Sequence, residues 1–424
     1  MLNWGSMAPW KARGLGFGLL AGVSLLNAAP AFADDTPDYT ALVLGHAYLS
    51  QPDSMYMQEL LGTYVDPTNP FEGQPVYNIV GDPVSVYTPE TDYTTGLTQG
   101  VADLDAAIQQ QLAVGNDTLV IAGYSMSNSV VTQEMINLAA TNTDINGLKF
   151  VLAEDLNNPD GGIFTRFPGM FGVNLPSTPV DTPYTTDIYS IEYSGASDFP
   201  QYYSNLFADL NASNGYLDLH PYLLPGWPAY FDPSTVADAV KQPVTDGYTG
   251  NTDYFLIPTQ DLPLLDGLRL GTGAGSAYAD YIQPDMRVLV DLGYNWTGAA
   301  NVSTPADMTA PDIDFTAVDS YLAAGADQGM IAALVDLGIL PQSDLAGLAD
   351  LYPYVPDIAN LQLGALSDST LAAQDAAASL NLLTADLAAS TSPFASELSA
   401  FLPGMATGLA DFFQSAAGLL SFSF

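Results

Sequence analysis

The pentapeptide Gly123-Tyr124-Ser125-Met126-Ser127 lies between an apolar run, residues 118–122, and a segment of helical spacing that continues to residue 140. A strand, a tight turn bearing serine and a helix form a nucleophile elbow, which holds the hydroxyl above a sheet in a strained turn. The flanking residues must be small, because the turn packs its own strand against its own helix. Gly123 meets that demand, whereas the second glycine of the common pattern is replaced by Ser127. Ser125 is therefore the candidate nucleophile. The competing reading is that Ser125 or Ser127 only caps the following helix, which either could do. The helix N-terminus also favours a developing oxyanion, with the Met126 N–H as one donor.

A serine hydroxyl needs a base, and the chain has two histidines, His46 and His220, and no cysteine. His220 follows the last acid candidates and preserves the chain order Ser, acid, His that such elbows use, so it is the expected base. His46 follows the first apolar run, where this architecture places the second oxyanion donor. The turn Gly45-His46-Ala47 offers backbone N–H groups for that purpose, with His46 and Ala47 as the candidates. The acid is expected after a strand beyond the nucleophile. The run 186–193 ends in Ser194-Gly195-Ala196-Ser197-Asp198, a small-residue loop presenting Asp198, which is therefore the expected third member. Competitors are Glu154 and Asp155 at the end of the preceding strand, and Asp209 and Asp218 nearer the histidine. Tyr124, Tyr222, Leu223 and Trp227 surround the presumed machinery and could line an acyl-binding site, although aromatic core packing explains them equally well. No cofactor or metal is expected. Asp103, Asp105 and the 157–162 turn lack the spacing of a calcium loop and read as a solvated face or turn.

The elements that must hold these residues are visible in the hydropathy. Residues 40–45, 75–80, 118–122, 149–153, 186–193 and 254–257 read as strands, several of them apolar on both faces as in a buried parallel sheet. Residues 94–112 and 128–140 have helical spacing between them. Strands alternating with helices predict an α/β fold with a doubly wound, mostly parallel sheet. Beyond residue 294 the character changes. Residues 295–311 read as a polar linker, and 312–424 as an Ala/Leu-rich helical C-terminal region interrupted by prolines.

Composition bounds the partners. The 424 residues carry 47 Asp and Glu against 7 Lys and Arg, a formal charge of −40. Nucleic-acid binders gain affinity from cations near phosphates, so that class is excluded. The N-terminus has Lys11 and Arg13, an apolar run from Leu15 to Leu26, and Ala31-Phe32-Ala33 before two aspartates. This reads as a signal peptide, residues 1–33, cleaved after Ala33. An uncleaved anchor is the alternative. The mature chain is expected to be secreted or associated with the cell envelope, to keep five basic residues, and to act on an acyl ester or lipid.

The segments Val86-Tyr87-Thr88-Pro89-Glu90, Gly123 to Ser127, Asn158-Pro159-Asp160-Gly161-Gly162 with Arg166-Phe167-Pro168, Ser194 to Pro200, Ala208-Asp209-Leu210-Asn211 and Asp261-Leu262-Pro263-Leu264-Leu265 resemble the PE-PPE domain of mycobacteria and related actinobacteria. The likeness runs from about residue 40 to 294, and residues 34–294 are taken as the domain. It implies a cutinase-like α/β-hydrolase fold and serine esterase or lipase activity on acyl esters, with some similar proteins acting as acyltransferases that build envelope glycolipids. Carried over, the family's Ser, Asp and His fall on Ser125, Asp198 and His220. Where the family has a Gly-Thr-Gly-like turn after the first strand, this chain reads Gly45-His46-Ala47-Tyr48-Leu49. A signal sequence stands where a PE or PPE helical module is expected. A non-catalytic surface protein keeping the fold is the third functional class.

Overall fold

The computed structural model describes residues 37–344, apart from 142–146, 224–232, 270–272, 297, 310–312 and 314. Trp227, residues 1–33 (expected as a signal peptide) and the region beyond residue 344 lie outside the described residues. The elements are β1 (Asp38–Val43), α1 (Ser54–Tyr64), β2 (Asn78–Ile79), β3 (Val84–Ser85), α2 (Thr95–Ala113), β4 (Leu119–Tyr124), α3 (Ser127–Ala140), β5 (Leu148–Ala153), α4 (Ile163–Arg166), β6 (Thr185–Ile191), α5 (Leu206–Asp218), β7 (Val240–Lys241), β8 (Thr252–Ile257), α6 (Asp266–Arg269), α7 (Gly273–Asp291) and α8 (Phe315–Asp336).

The sheet runs β2-β1-β4-β5-β6-β8-β7, with β3 also pairing β1. All pairs are parallel except β7 with β8. Side chains alternate across a strand, so each strand serves two cores. Val120, Ala122 and Tyr124 of β4, with Val151, Ala153, Tyr189 and Ile191, face α1, α5 and α7. Leu119 and Ile121, with Phe150, Leu152 and Ile188, face Leu104 and Ile108 of α2 and Val130, Val131, Met135 and Leu138 of α3. Both faces are thereby covered, which explains why the strand sequences are apolar without alternation. This is the doubly wound α/β-hydrolase architecture expected from the sequence.

Residues 298–309, expected as a linker, are bonded into the domain. Arg166 Nη1 donates to Thr304 O at 2.6 Å, Ala300 N to Pro243 O at 2.8 Å and Asp307 N to Gln201 O at 2.7 Å. α8 packs along α7, with Met330, Ile331 and Leu334 against Ala277 and Tyr281.

Candidate active site

The site assembles at the C-terminal ends of β4, β5 and β6. In the register, Tyr124 pairs with Ala153 and Ala153 with Tyr189, so the residues that follow each strand converge. Ser125, directly after β4, has φ of +61°, the left-handed conformation a nucleophile elbow imposes on a non-glycine residue. Gly123 is required here because a Cβ on it would lie 2.3 Å from Asn128 Oδ1. Ser127 takes the second glycine's place and adds hydrogen bonds that glycine could not make. Its Oγ accepts from Tyr124 N at 3.0 Å and donates to Tyr124 O at 3.1 Å, bracing the turn from inside.

His220 lies just beyond α5, whose N-cap Asn205 accepts from Phe207 N and Ala208 N and donates to Leu289 O at 2.7 Å, tying the helix to α7. The Ser125 Oγ to His220 Nε2 distance is 2.7 Å, and His220 Nδ1 lies 2.9 Å from Glu154 Oε2. A carboxylate oxygen can only accept, so Nδ1 carries the proton and the Nε2 lone pair faces the serine hydroxyl. That is the tautomer a general base needs.

The carboxylate on the imidazole is therefore Glu154, which corrects the expectation that Asp198 fills that place. Glu154 directly follows β5, next to the elbow strand, at a φ of +55°. Its Oε1 accepts from Ile191 N at 2.8 Å and Ser197 Oγ at 2.5 Å, and its Oε2 accepts from the Ser194 hydroxyl as well as from His220. The 194–198 loop thus supplies donors to the acid rather than the acid itself. Asp198 faces the other way, accepting from Tyr193 N at 2.9 Å and from Trp296 Nε1 at 3.0 Å. Burial raises its carboxyl to about 8 despite those two donors. Among the remaining competitors, Asp155 accepts from Asn157 N at 2.9 Å and Thr178 Oγ1 at 2.6 Å, with burial raising it to about 6. Burial likewise raises Asp209 and Asp218.

His46 is buried beside the site, with ring centroids 5.6 Å from Tyr56 and 6.5 Å from Tyr124. Its Nδ1 lies 2.7 Å from Ala47 O and so donates to it. Burial lowers its pKa, with the charge of His220 acting in the same direction. The Tyr48 N–H is engaged by Glu90 O at 2.9 Å, which removes it as an oxyanion donor and fastens the turn to the segment after β3.

Tyr124, Tyr222 and Leu223 are buried, and the phenol of Tyr222 donates to Tyr64 Oη at 2.6 Å. Tyr222 also meets the Tyr124 ring edge-on at 5.5 Å. Tyr124 stacks on the His220 ring at 5.4 Å. Tyr216 also stacks on it, at 5.3 Å. The sequence reading missed the roles of Ser194, Ser197 and Tyr216. A signal for the last existed in the four-residue spacing of Tyr216 and His220, which brings their side chains together at a helix end. Among the described residues no cluster of three or more His, Asp or Glu is arranged to hold a metal, and no helix is long and apolar enough to cross a membrane.

The model of the PE-PPE domain matches residues 78–295. Over 332 residues the chain is 40% identical to PE family protein PE3 of Mycobacterium tuberculosis, covering 74% of this chain and 64% of that protein. It is 37% identical over 305 residues to Esterase PE16 of the same organism, covering 67% and 54% respectively. A third relative, SL1278 acyltransferase Chp1 of M. tuberculosis, is 28% identical over 221 residues, covering 50% and 52%. The chain thus spans between half and two thirds of the length of these relatives.

Proposed function

The chain belongs to the PE-PPE domain family, and from that premise we propose that it is a serine hydrolase that cleaves neutral acyl esters through an acyl-enzyme. The observation that carries the reading is the unbroken relay Ser125 Oγ, His220 Nε2, His220 Nδ1, Glu154 Oε2. His220 takes the Ser125 proton as the oxygen attacks the ester carbonyl, and Glu154 holds the protonated Nδ1 and stabilises the imidazolium. His220 then gives the proton to the departing alcohol. Water, deprotonated by the same nitrogen, attacks the acyl carbonyl, and His220 returns the proton to Ser125 Oγ as the acid departs. The tetrahedral oxyanions are stabilised by the Met126 N–H and by an N–H of the 45–47 turn, from His46 or Ala47.

Substrate charge follows from the cations. Five basic residues lie beyond residue 33, and each is engaged away from the relay. Lys149 donates to Thr185 Oγ1 at 2.8 Å. Arg166 pairs with Asp160 at 2.7 Å, Lys241 with Asp253 at 2.8 Å, Arg269 with Asp280 at 3.2 Å and Arg287 with Glu192 at 2.7 Å. Four of the five are ion-paired and the fifth is hydrogen-bonded, which favours uncharged esters, and for these we propose a short to medium acyl length. Secretion by the N-terminal signal, with the mature chain in or near the cell envelope, completes the proposal.

The similarity to an acyltransferase favours a second reading, in which a sugar hydroxyl replaces water at the acyl-enzyme. The first test is labelling of the full chain with a fluorophosphonate probe. We expect labelling that Ser125→Ala abolishes, while lack of labelling on the folded protein would sink the hydrolase reading. Adding trehalose to a turnover assay separates the two: acyl transfer outpacing release of free acid would make the enzyme a transferase.

A further inference from the structure

We propose that Tyr216 is a positioning residue that, together with Tyr124, clamps the His220 imidazole between two aromatic faces, an inference that rests on the serine-hydrolase reading above. The ring of Tyr124 is inclined by 13° to the imidazole and that of Tyr216 by 15°, at centroid distances of 5.4 and 5.3 Å. Tyr124 is fully buried and Tyr216 is 45% exposed, so one ring backs the imidazole from the core and the other covers it from solvent.

The fold is built to bring Tyr216 there. A Cβ on Gly215 would lie 2.1 Å from Tyr193 O, and one on Gly195 would lie 2.2 Å from Ala212 O. Only glycine at both positions lets α5 seat directly on the loop after β6. Tyr216 follows Gly215 on that helix and reaches the ring of the residue four positions on.

The clamp does what the hydrogen bonds cannot. The bonds to Ser125 and Glu154 lie in the plane of the imidazole and fix its rotation within that plane, but resist tilting out of it only weakly. Parallel rings oppose the tilt. When Nε2 accepts the serine proton the imidazole becomes a cation, and an aromatic face attracts a cation. Around this cation stand Glu154 from the end of β5, Tyr124 and Ser125 from the elbow, Tyr216 from α5 and His46 from the turn after β1. Glu154 supplies the countercharge and the two phenol rings supply the faces.

The test compares Tyr216→Leu and Tyr216→Phe in the full chain. With a neutral p-nitrophenyl ester, the Leu variant should lose about three- to tenfold in kcat, with KM little changed, and the Phe variant should recover the parent value. The second measurement is the NMR resonance of the His220 Nδ1 proton in the Ser125→Ala background, distinguished from that of His46 by a His46→Gln variant. It should be sharp in the parent and in Tyr216→Phe and broadened by exchange in Tyr216→Leu. Parent kcat in the Leu variant, a rise confined to KM, or a Phe variant as impaired as Leu would each overturn the proposal. Absence of fluorophosphonate labelling would defeat the hydrolase reading instead. In that event the resonance still decides the clamp, since a sharp signal in Tyr216→Leu refutes it without any turnover.

Discussion

Replacing Glu154 by glutamine tests the relay at its most informative point. Glu154 Oε1 receives the Ile191 N–H, a donor that cannot be reversed, whereas the Ser194 and Ser197 hydroxyls can rotate to donate or accept. In Glu154→Gln the amide oxygen must therefore occupy the Oε1 position, which sends the new NH₂ group toward His220 Nδ1. An NH₂ facing that nitrogen requires it to be an acceptor. The imidazole then moves its proton to Nε2, which becomes a donor to Ser125 and can no longer take the serine proton. Loss of the correct tautomer in a triad costs about 10³- to 10⁴-fold in kcat, roughly 4 to 5.5 kcal/mol of barrier. KM should change little, because Glu154 is fully buried. Asp198→Asn is the control. In Asp198→Asn the amide oxygen at the Oδ2 position can still accept from both Tyr193 N and Trp296 Nε1, and the side chain does not touch His220, so activity at pH 7 should stay within about tenfold of the parent. Steady-state kinetics on a neutral p-nitrophenyl ester, with a circular dichroism melt for each variant, decides the matter. A folded Glu154→Gln protein that retains most of its kcat, or an Asp198→Asn protein that loses it, would refute the assignment of the acid.

Other expectations follow from the same structure. Burial raises Glu90, Asp187 and Asp291 to about 7 and Asp198 and Asp285 to about 8, so the folded chain holds protons that the unfolded chain has released. Stability then falls as pH rises, from near the unfolded carboxylate values through about 8, and the thermal midpoint should be higher at pH 5 than at pH 8; a midpoint that climbs over that interval contradicts the burial argument. In substrate specificity, kcat/KM for a neutral ester should exceed that for an anionic ester of equal acyl length, and the reverse preference would show that some cation leaves its partner to bind substrate. Ending the chain after residue 305 removes α8 and with it the packing of Met330, Ile331 and Leu334 on Ala277 and Tyr281 of α7, whose burial contributes about 1.5 to 3 kcal/mol each in the longer chain. That protein should melt well below one ending at residue 344, and equal melting temperatures would mean that α8 is dispensable to the domain.

The central strands and their helices were legible because a parallel sheet covered on both faces leaves continuous apolar runs, and β1, β4, β5, β6 and β8 fall where those runs lie. The margins were less so. The run 75–80 contributes only the two paired residues of β2, and the short antiparallel β7 carries too few residues to announce itself. In the site, the serine and the histidine were legible for opposite reasons. Ser125 stands in a turn with its own local signature, and His220 is one of only two candidates. The acid had neither advantage among 47 carboxylates. Position after β6 favoured Asp198, but the choice between the end of β5 and the end of β6 depends on how far α5 carries the imidazole toward the elbow. Gly195 and Gly215 set that distance through backbone contact, which leaves no mark in hydropathy or spacing.

Backbone strain identifies the same end of the sheet independently of any hydrogen bond. Among the described residues, five that are not glycine have a left-handed φ: Tyr48, Glu90, Ser125, Glu154 and Tyr193. They follow β1, β3, β4, β5 and β6 respectively, so each lies beyond the C-terminal end of a parallel strand. Such a conformation costs on the order of 1 kcal/mol or more per residue and persists only where the surrounding structure over-determines it. Here the supports are specific. Ser127 braces Ser125, Tyr189 O receives the Glu154 N–H, Asp198 receives the Tyr193 N–H, and the Glu90 carbonyl holds the Tyr48 N–H. This gives Asp198 a role suited to its position. Its carboxyl group fixes the strained start of the loop from which Ser194 and Ser197 reach Glu154, and thus acts on the relay one residue removed from it. Among the described residues this strain lies at the sheet edge that carries Ser125, Glu154 and the turn after β1, and the rigid sheet below supplies the over-determination that holds them in place.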